Sequence, residues 1–478
     1  MSYQVPQHID PNKVFLINHS ELEGRLDSMF YTRQFSDIIV ALKKCFLYKR
    51  LGQVALFSSE SWNQKDYYET VFPYIEIGAI NITDGKIDDV SFVPVEQAPS
   101  RAKVIVRTGD IIISTTRPDR GAIIKITENE NLYIASTGFS VIRNIDSNIN
   151  PDYLLAILRH KLILLQMRQR STGGNYPAIT QEELSKIIIP IPPVDIQNKI
   201  VSLIESAHTK KQEADFVANS LVQSIDGYLL NELGIQVPET KSQTIQDRMF
   251  VVNFSDASGE RLDPMFYAAD IKKYTHCTYS ESIASLTLSC NSGFAVGRQD
   301  QIDQANGILQ IRPTNIDNNG QLKYDKNVYV PENNGFQFVP SGVVLFNNTN
   351  SQEWVGKTAY FSNEEKRNVY ISNHITAINV DKSKILPMYL SEILNMYQRH
   401  KVFYSICTNW NNQSGIGLDL LSILHIPLFT DDRQRSLVKQ QEIVDHISSI
   451  RQQAKALQEE GKAILEQAKK EVEQMILG

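Results

Sequence analysis

Cysteine is scarce in this chain. Four residues in 478, at positions 45, 277, 290 and 407, form no C-x-x-C pair. That excludes a disulfide-stapled scaffold and a thiolate zinc site, and it predicts reduced thiols in a cytoplasmic protein. Long apolar runs are also missing. No stretch is long enough to span a bilayer, and the N-terminal "MSYQVPQHIDPNK" has no apolar h-region, so neither a membrane span nor a secretion signal is expected. Basic excess is absent: the formal net charge is −6. This tells against a broad surface for coating nucleic acid, but not against local basic loops.

Catalytic signatures are missing as well. No Asn/Asp-Pro-Pro-aromatic tetrapeptide and no glycine-rich cofactor loop occurs, and no G-x-x-x-x-G-K-[ST] is present. The nine histidines are scattered without ligand spacing. "NIDNNG" (315–320) begins like a calcium loop, but its twelfth position is Lys326 where a glutamate is needed. "PDRGAIIK" (118–125) lacks the second acidic residue of a nuclease motif. The expectation is a protein with no active site, no metal and no cofactor.

What is present is repetition. "RLDSMFY" (25–31) returns as "RLDPMFY" (261–267), six letters in seven alike. The match extends upstream, from 14–24 to 249–259, and downstream through "VRTGDIIIS" (106–114) and "VPSGVVLFN" (339–347). It continues through "NPDYLLAIL" and "LPMYLSEIL", then through "IVSLIESAHTKK" (200–211) and "IVDHISSIRQQA" (443–454). The offset stays between 233 and 243, so one unit of about 235 residues is present twice. In the shared heptapeptide, Leu26, Met29, Phe30 and Tyr31 are expected to be core or domain-anchoring residues.

Each unit begins with a mixed region of about 190 residues. "GDIIIS", "GAIIKIT" and "LYIAS" read as strands, and "ITDGK" and "DNNG" as turns. One helix is expected over "PDYLLAILRHKLILLQMRQR" (151–170). "IPIPP" (189–193) is expected to be a stiff extended hinge. From about 195 to 233 there is no proline and one glycine, Gly227. Ile200, Leu203, Ala207, Lys210, Ala214, Val217, Leu221, Ser224 and Tyr228 follow steps of three and four. The second copy repeats this through Ile443, Ile447, Ile450, Ala454, Leu457, Gly461, Ile464, Ala468, Glu471 and Met475. Two readings fit: separate amphipathic helices, each covering its own domain, or two helices of roughly 55–60 Å pairing through small residues. Antiparallel pairing would relate the copies by a pseudo-two-fold axis. Two similar heads would then be held a fixed distance apart, as a reader of duplex DNA requires.

The order globule, helix, globule, helix resembles the specificity (S) subunit of type I restriction–modification systems. So does "GGNYPAITQEELSKIIIPIPPVDIQNKIV" (173–201), which is similar to that family's junction between target recognition domain and spacer helix. The second junction (411–444) keeps Leu421, Ile426, Pro427, Gln441, Ile443 and Val444 but lacks the proline cluster. The resemblance implies an α/β (α+β) architecture. Target recognition domains would occupy 1–194 and 236–430, and antiparallel coiled-coil spacer helices 195–235 and 431–478. It implies a non-catalytic subunit in which each globule reads one half of a bipartite site on double-stranded DNA. The helices would set the gap and dock two copies of a DNA adenine methyltransferase (M) subunit. A motor–nuclease (R) subunit would join for restriction. The competing readings are a duplicated adaptor that does not bind DNA, and a specificity subunit of a methylation-only or phage-exclusion system.

DNA contact, on this reading, falls to polar loops. In the first half these are Ser114, Thr115, Thr116, Arg117 and Arg120 after a strand, with Arg170, Asn175 and Tyr176 after a helix that also carries Arg168. The matching places in the second half hold Asn347, Asn348, Asn350, Gln352 and Lys357, and then Asn411 and Asn412 after Arg399 and Lys401. Solvated polar loops and dipole-stabilised helix ends are the plain alternative. "KKCFLYKR" (43–50) is a further basic stretch with interleaved aromatics that could approach phosphates.

Overall fold

The computed structural model describes residues 10, 13–64, 66–236, 249, 251, 272–275 and 277–478. The second heptapeptide, 261–267, lies outside them, as does nearly all of 249–259. The chain divides into two compact units. The first is 1–215 with 458–478; the second is 216–457. Among the described residues no helix is long and apolar enough to cross a membrane.

In the first unit, the isoleucine run at 111–113 makes a strand, Ile111–Ser114, buried on both faces. It lies between Phe139–Arg143 and Ile123–Lys125, and Leu56–Ser58 pairs outside Phe139–Arg143. All these pairings are antiparallel. Ile111 and Ile113 face a helical core with Tyr153, Leu154 and Ile157, while Ile112 faces a second cluster with Ile75 and Ala135. Alternate residues thus enter different cores, which is why the run is unbroken. A second sheet orders Ser91–Pro94, Val71–Ile75, Ile134–Ser136 and Ala102–Ile105, with Ile134–Ser136 parallel to Val71–Ile75.

The second unit repeats this plan. Thr287–Ser292, Ile375–Val380, Val343–Asn347 and Thr358–Phe361 form the first sheet. Val328–Val330, Ile308–Ile311 and Val369–Ile371 form the other, again with a parallel pair, Ile308–Ile311 beside Val369–Ile371.

Both junctions are built alike. "IPIPP" is not a free hinge: Ile188–Ile191 pairs antiparallel with Leu47–Arg50, placing Pro190 opposite Tyr48. The stretch 43–50 is therefore the end of helix Arg33–Cys45 followed by that strand. His425–Leu428 pairs with Tyr279–Ser282, placing Pro427 opposite Ser280. A two-stranded ladder tolerates proline because a position need not donate to a neighbour on both sides. Tyr153 Oη donates to Pro190 O at 2.8 Å, and Tyr389 Oη to Pro427 O at 2.9 Å. Burial raises both phenols above their ordinary pKa, so both remain donors. Gln197 Oε1 accepts from Asn150 N and Gln440 Oε1 from Leu386 N, each at 2.8 Å.

The single helix expected over 151–170 is two, Pro151–Leu158 and Lys161–Arg170. The break comes at Arg159–His160, where the His160 ring caps the second helix by accepting from Leu162 N. The second unit breaks at the same tripeptide, Arg-His-Lys, between Pro387–Arg399 and Val402–Ile406.

The long helices run Val194–Glu232 and Arg433–Leu477. Within the first unit, Ala207 packs with Leu465 and Ala468. A Cβ on Gly461 would lie 3.2 Å from Lys211 Cα and 3.3 Å from Ala214 Cβ. Within the second unit, the Tyr228 and His446 rings are 4.2 Å apart and Lys439 Nζ is 2.8 Å from a Glu232 carboxylate. Rising numbers on one helix meet falling numbers on the other, so the pairing is antiparallel. The seam in the first helix departs from the expected one after Ala207. Lys211, Ala218, Ile225 and Leu229 are buried, whereas Lys210, Val217 and Ser224 are exposed and Tyr228 is half-buried. In the second helix the expected seam is followed to Ala468, then passes through Val472 and Ile476 instead of Glu471 and Met475.

The first heptapeptide is only partly core. Asp27 caps the short helix Ser28–Tyr31 by accepting from Phe30 N at 3.1 Å. Phe30 is buried, half-buried Tyr31 donates to Arg25 O, and Gln169 Nε2 donates to Phe30 O at 2.7 Å. Leu26 and Met29 are 86% and 70% exposed, so they do not belong to the core of the described residues.

Candidate nucleic-acid interface

In the first unit, the chain leaves strand Ile111–Ser114 and meets the segment 172–178. Thr116 and Thr172 both bridge Ala178, and Ile179 N donates to Thr115 O at 2.9 Å. Arg117 sits in the left-handed region at φ 49°, held by its N–H donating to Pro177 O at 2.7 Å. Its guanidinium donates to Asn175 O at 2.8 Å and lies 4.4 Å over the Tyr176 ring. Tyr176 is 72% exposed, and Asn175 beside it is exposed too, as is Arg120. Four expected residues (Thr116, Arg117, Asn175 and Tyr176) therefore share one tip, whereas Arg120 lies on the lining of a neighbouring cleft. Thr115 spends its hydroxyl on Gly138 O at 3.0 Å.

The second unit has the same framework with other side chains. Thr349 and Thr408 both pair with Gly415, as Thr116 and Thr172 pair with Ala178. Thr408–Trp410 and Gln413–Gly415 form a hairpin whose two turn residues, Asn411 and Asn412, have φ of 31° and 66°. Asparagine accepts positive φ at low cost, which explains the Asn-Asn pair. Both are exposed, as are Trp410 at 48% and Trp354 at 40%. The expected groupings, 114–120 with 175–176 and 347–357 with 411–412, thus each come together in space.

Three expected contacts are corrected by burial. Ser114 and Asn347 are completely buried at matching strand ends. Ser114 Oγ donates to Thr116 O at 2.8 Å, and Asn347 Nδ2 to Trp354 O at 3.2 Å. Arg170 is 4% exposed and bridges Glu23 and Glu183, each at 2.9 Å. It anchors the segment carrying Phe30 and does not face solvent. Other residues are partly committed. Asn348 Nδ2 donates to Thr376 Oγ1 at 2.9 Å, Gln352 Nε2 to Tyr404 O at 3.0 Å, and Asn350 Oδ1 accepts from Ser351 N at 2.8 Å. Lys357 Nζ donates to Ile316 O at 2.8 Å, and burial lowers its pKa. Arg399 is paired with Asp226 at 2.7 Å.

Sequence reasoning missed Trp354 and Trp410. The signal was available: two of the chain's three tryptophans fall inside the amide-rich loops. Arginine on an aromatic ring in one tip, and amides with tryptophan in the other, can hydrogen-bond base edges and phosphates and stack on sugars or bases. Among the described residues no three His, Cys, Asp or Glu side chains converge to hold a metal ion.

Residues 48–214, which include the whole first tip, match the family model for the type I restriction modification DNA specificity domain. The chain carries a type I restriction-modification specificity domain. The chain is similar to the type I restriction enzyme HindI specificity subunit of Haemophilus influenzae, 26% identical over 156 residues. That match covers 32% of this chain and 33% of the relative. A putative type I restriction enzyme MjaX specificity subunit of Methanocaldococcus jannaschii is 31% identical over 98 residues, covering 20% and 23%. The matched stretches thus span a third or less of these curated relatives. At the level of fold the likeness extends further. A solved structure concerned with complex assembly and conformational transition of the type I R-M system covers 91% of this chain and 97% of its own, with a TM-score of 0.50 at 21% identity. The match over 48–214 and the curated relatives bear out the family read from the junction and the repeat, and the solved structure bears out the fold, globules with long helices.

Proposed function

We propose that the chain is the DNA-recognition subunit of a type I restriction–modification complex, reading a bipartite target with one tip per half-site. One observation carries this reading. The two units share a pattern of paired segments, Thr116–Ala178–Thr172 and Thr349–Gly415–Thr408, and mount different hydrogen-bonding chemistry on it. Different half-sites demand that arrangement: a constant frame with variable readers. Antiparallel pairing of helix stretches within each unit supports a coiled coil that sets half-site spacing. Docking of two M subunits, and of an R subunit for restriction, follows from the likeness to specificity subunits, as do a non-catalytic role and a cytoplasmic location.

The test exploits the division between tips. Arg117→Ala should weaken duplexes through one half-site, and Asn412→Ala or Trp410→Ala through the other, each by about 1–3 kcal/mol for a base contact. A phosphate contact would instead weaken all sequences alike and lower the salt slope by about one. If all three variants bind duplexes altered in either half as the parent does, at every salt concentration, the tips are not the readers. A duplicated adaptor for two protein partners is the competing reading, motivated by the net charge of −6. It predicts no salt-dependent binding to any duplex.

A further inference from the structure

The first unit contains a cleft of about 200 Å³ between helix Pro151–Leu158, the turn at 82–85 and stretches of both long helices. At the matching place the second unit carries a pair of longer, mutually bonded side chains. There Arg451 makes a two-pronged ion pair with Glu392 and also donates to Asn319 O at 2.9 Å. The repeat aligns His208 with Arg451, Ala156 with Glu392, Asp84 with Asn319 and Arg159 with Asn395. Geometry supports the register. A Cβ on Gly85 would strike the Arg159 guanidinium, and a Cβ on Gly320 would strike the Asn395 amide. The first unit has thus exchanged an arginine and a glutamate for a histidine and an alanine. The cleft stands where the longer pair would lie.

Its lining is specific in character. Leu155, Leu164, Ile204, Leu465 and Val472 supply aliphatic walls. His208 Nδ1 and Asp84 Oδ1 are buried and make no hydrogen bond within the chain. Lys211 Nζ approaches Asp84 Oδ1 only to 3.5 Å, because its short bond is to Asp215 at 2.6 Å. Arg159 is committed to the carbonyls of Ile82 and Thr83 at 2.9 and 3.0 Å. The lining carries both signs of charge, and several of its charged groups have partners of their own: Asp152 pairs with Lys125, Lys469 with Glu466 at 2.7 Å, and Asp84 lies near Lys211. Burial lowers the His208 pKa, which keeps the imidazole neutral and able to accept or donate. A cavity of about 150 Å³ holds a benzene ring, so this open-mouthed cleft has room for a small heterocycle.

We propose that the cleft binds an uncharged nitrogen heterocycle of nucleobase size, its N–H edge toward Asp84 Oδ1 and His208 Nδ1 and its flat faces against the aliphatic walls. The second unit, with Arg451 and Glu392 at the matching place, lacks this capacity.

Adenine is the probe, titrated into the full chain by calorimetry, with the His208 ring signals followed by NMR. Saturable binding of one adenine per chain with movement of those signals is expected. Ala156→Glu/His208→Arg rebuilds the pair of the second unit and should reduce adenine affinity by a factor on the order of ten or more. Ala156→Leu, a milder filling, should do the same should the double variant fold poorly. DNA binding of a folded variant should remain that of the parent. The proposal is overturned if adenine does not bind at millimolar concentration, or if the filled variants bind it as the parent does. Toluene binding in place of adenine would also overturn it, since the cleft would then be a purely apolar void.

Discussion

Removing Arg451 should expose how the second unit holds its globule to its helices. Glu392 lies on helix Pro387–Arg399, 4% exposed, and Arg451 on the second long helix, its side chain 18% exposed. Two bonds join them, one of 2.9 Å, so Arg451→Ala strands a carboxylate in the core. Breaking a buried pair from one side costs about 3–5 kcal/mol, and the partial exposure of Arg451 places the loss near 3. Arg451→Ala/Glu392→Ala removes the stranded charge, leaving mainly a packing loss of about 1–2 kcal/mol. The double variant should therefore be more stable than the single one. Acidity supplies a second check. Burial raises the Glu392 pKa, and Arg451 is the main group opposing that rise. A carboxyl whose folded pKa exceeds its unfolded one costs stability as pH rises between the two, and nothing below both. Without Arg451 the interval widens upward, so the variant's deficit should be largest at neutral pH and shrink in acid. Hydrogen exchange of amides in Pro387–Arg399, referenced to amides of the first unit, measures the loss locally. If the single and double variants open equally, or the deficit is unchanged in acid, the pair is not a coupled clamp.

Other perturbations address the spacing and the first unit. One heptad inserted after Ala214, with a matching heptad before Gly461, preserves both seams and adds about 10 Å. The methylated motif read by sequencing should gain about three unspecified base pairs while both half-sites keep their letters. Gly461→Leu would force a side chain where a Cβ already lies 3.2 Å from Lys211 Cα, lowering stability by about 1–3 kcal/mol in a thermal melt, whereas Gly227→Ala, with open space around it, should be neutral or slightly stabilising. Glu60 is held at a pKa of about 2, chiefly by the hydrogen bond from Arg107 and further by Arg143. Its contribution is present above the ordinary carboxylate pKa and is lost as pH falls toward 2. Glu60→Gln should therefore cost about 1–2 kcal/mol at neutral pH, after discounting for solvent screening, and almost nothing in strong acid, as read by urea denaturation.

Repetition was legible in the chain because a duplicated scaffold repeats its own constraints. The strand at 111–114, the loops that follow each such strand, and the tyrosines that seal both junctions all recur at a nearly constant offset. The class of protein followed from that repeat and the junction motif. Periodicity also located both long helices, since heptad spacing is a local property. It did not locate their buried faces along the whole length. After Ala207 the seam passes to Lys211 and Ala218 because a partner helix, not the sequence, decides which side of a continuous apolar band is covered. Polarity misled in the same way. Arg170 and Asn347 carry chemistry suited to DNA, yet they are buried and bonded to Glu23, Glu183 and the Trp354 carbonyl inside the fold. The helix break at Arg159–His160 has no proline or glycine to announce it. It arises where the His160 ring caps the next helix and reaches Lys469 O at 3.1 Å, more than 300 residues away. Residue type states what a side chain can bond. Only the tertiary structure decides which neighbour takes the bond first, and that choice separates a reader at a loop tip from an anchor in the core.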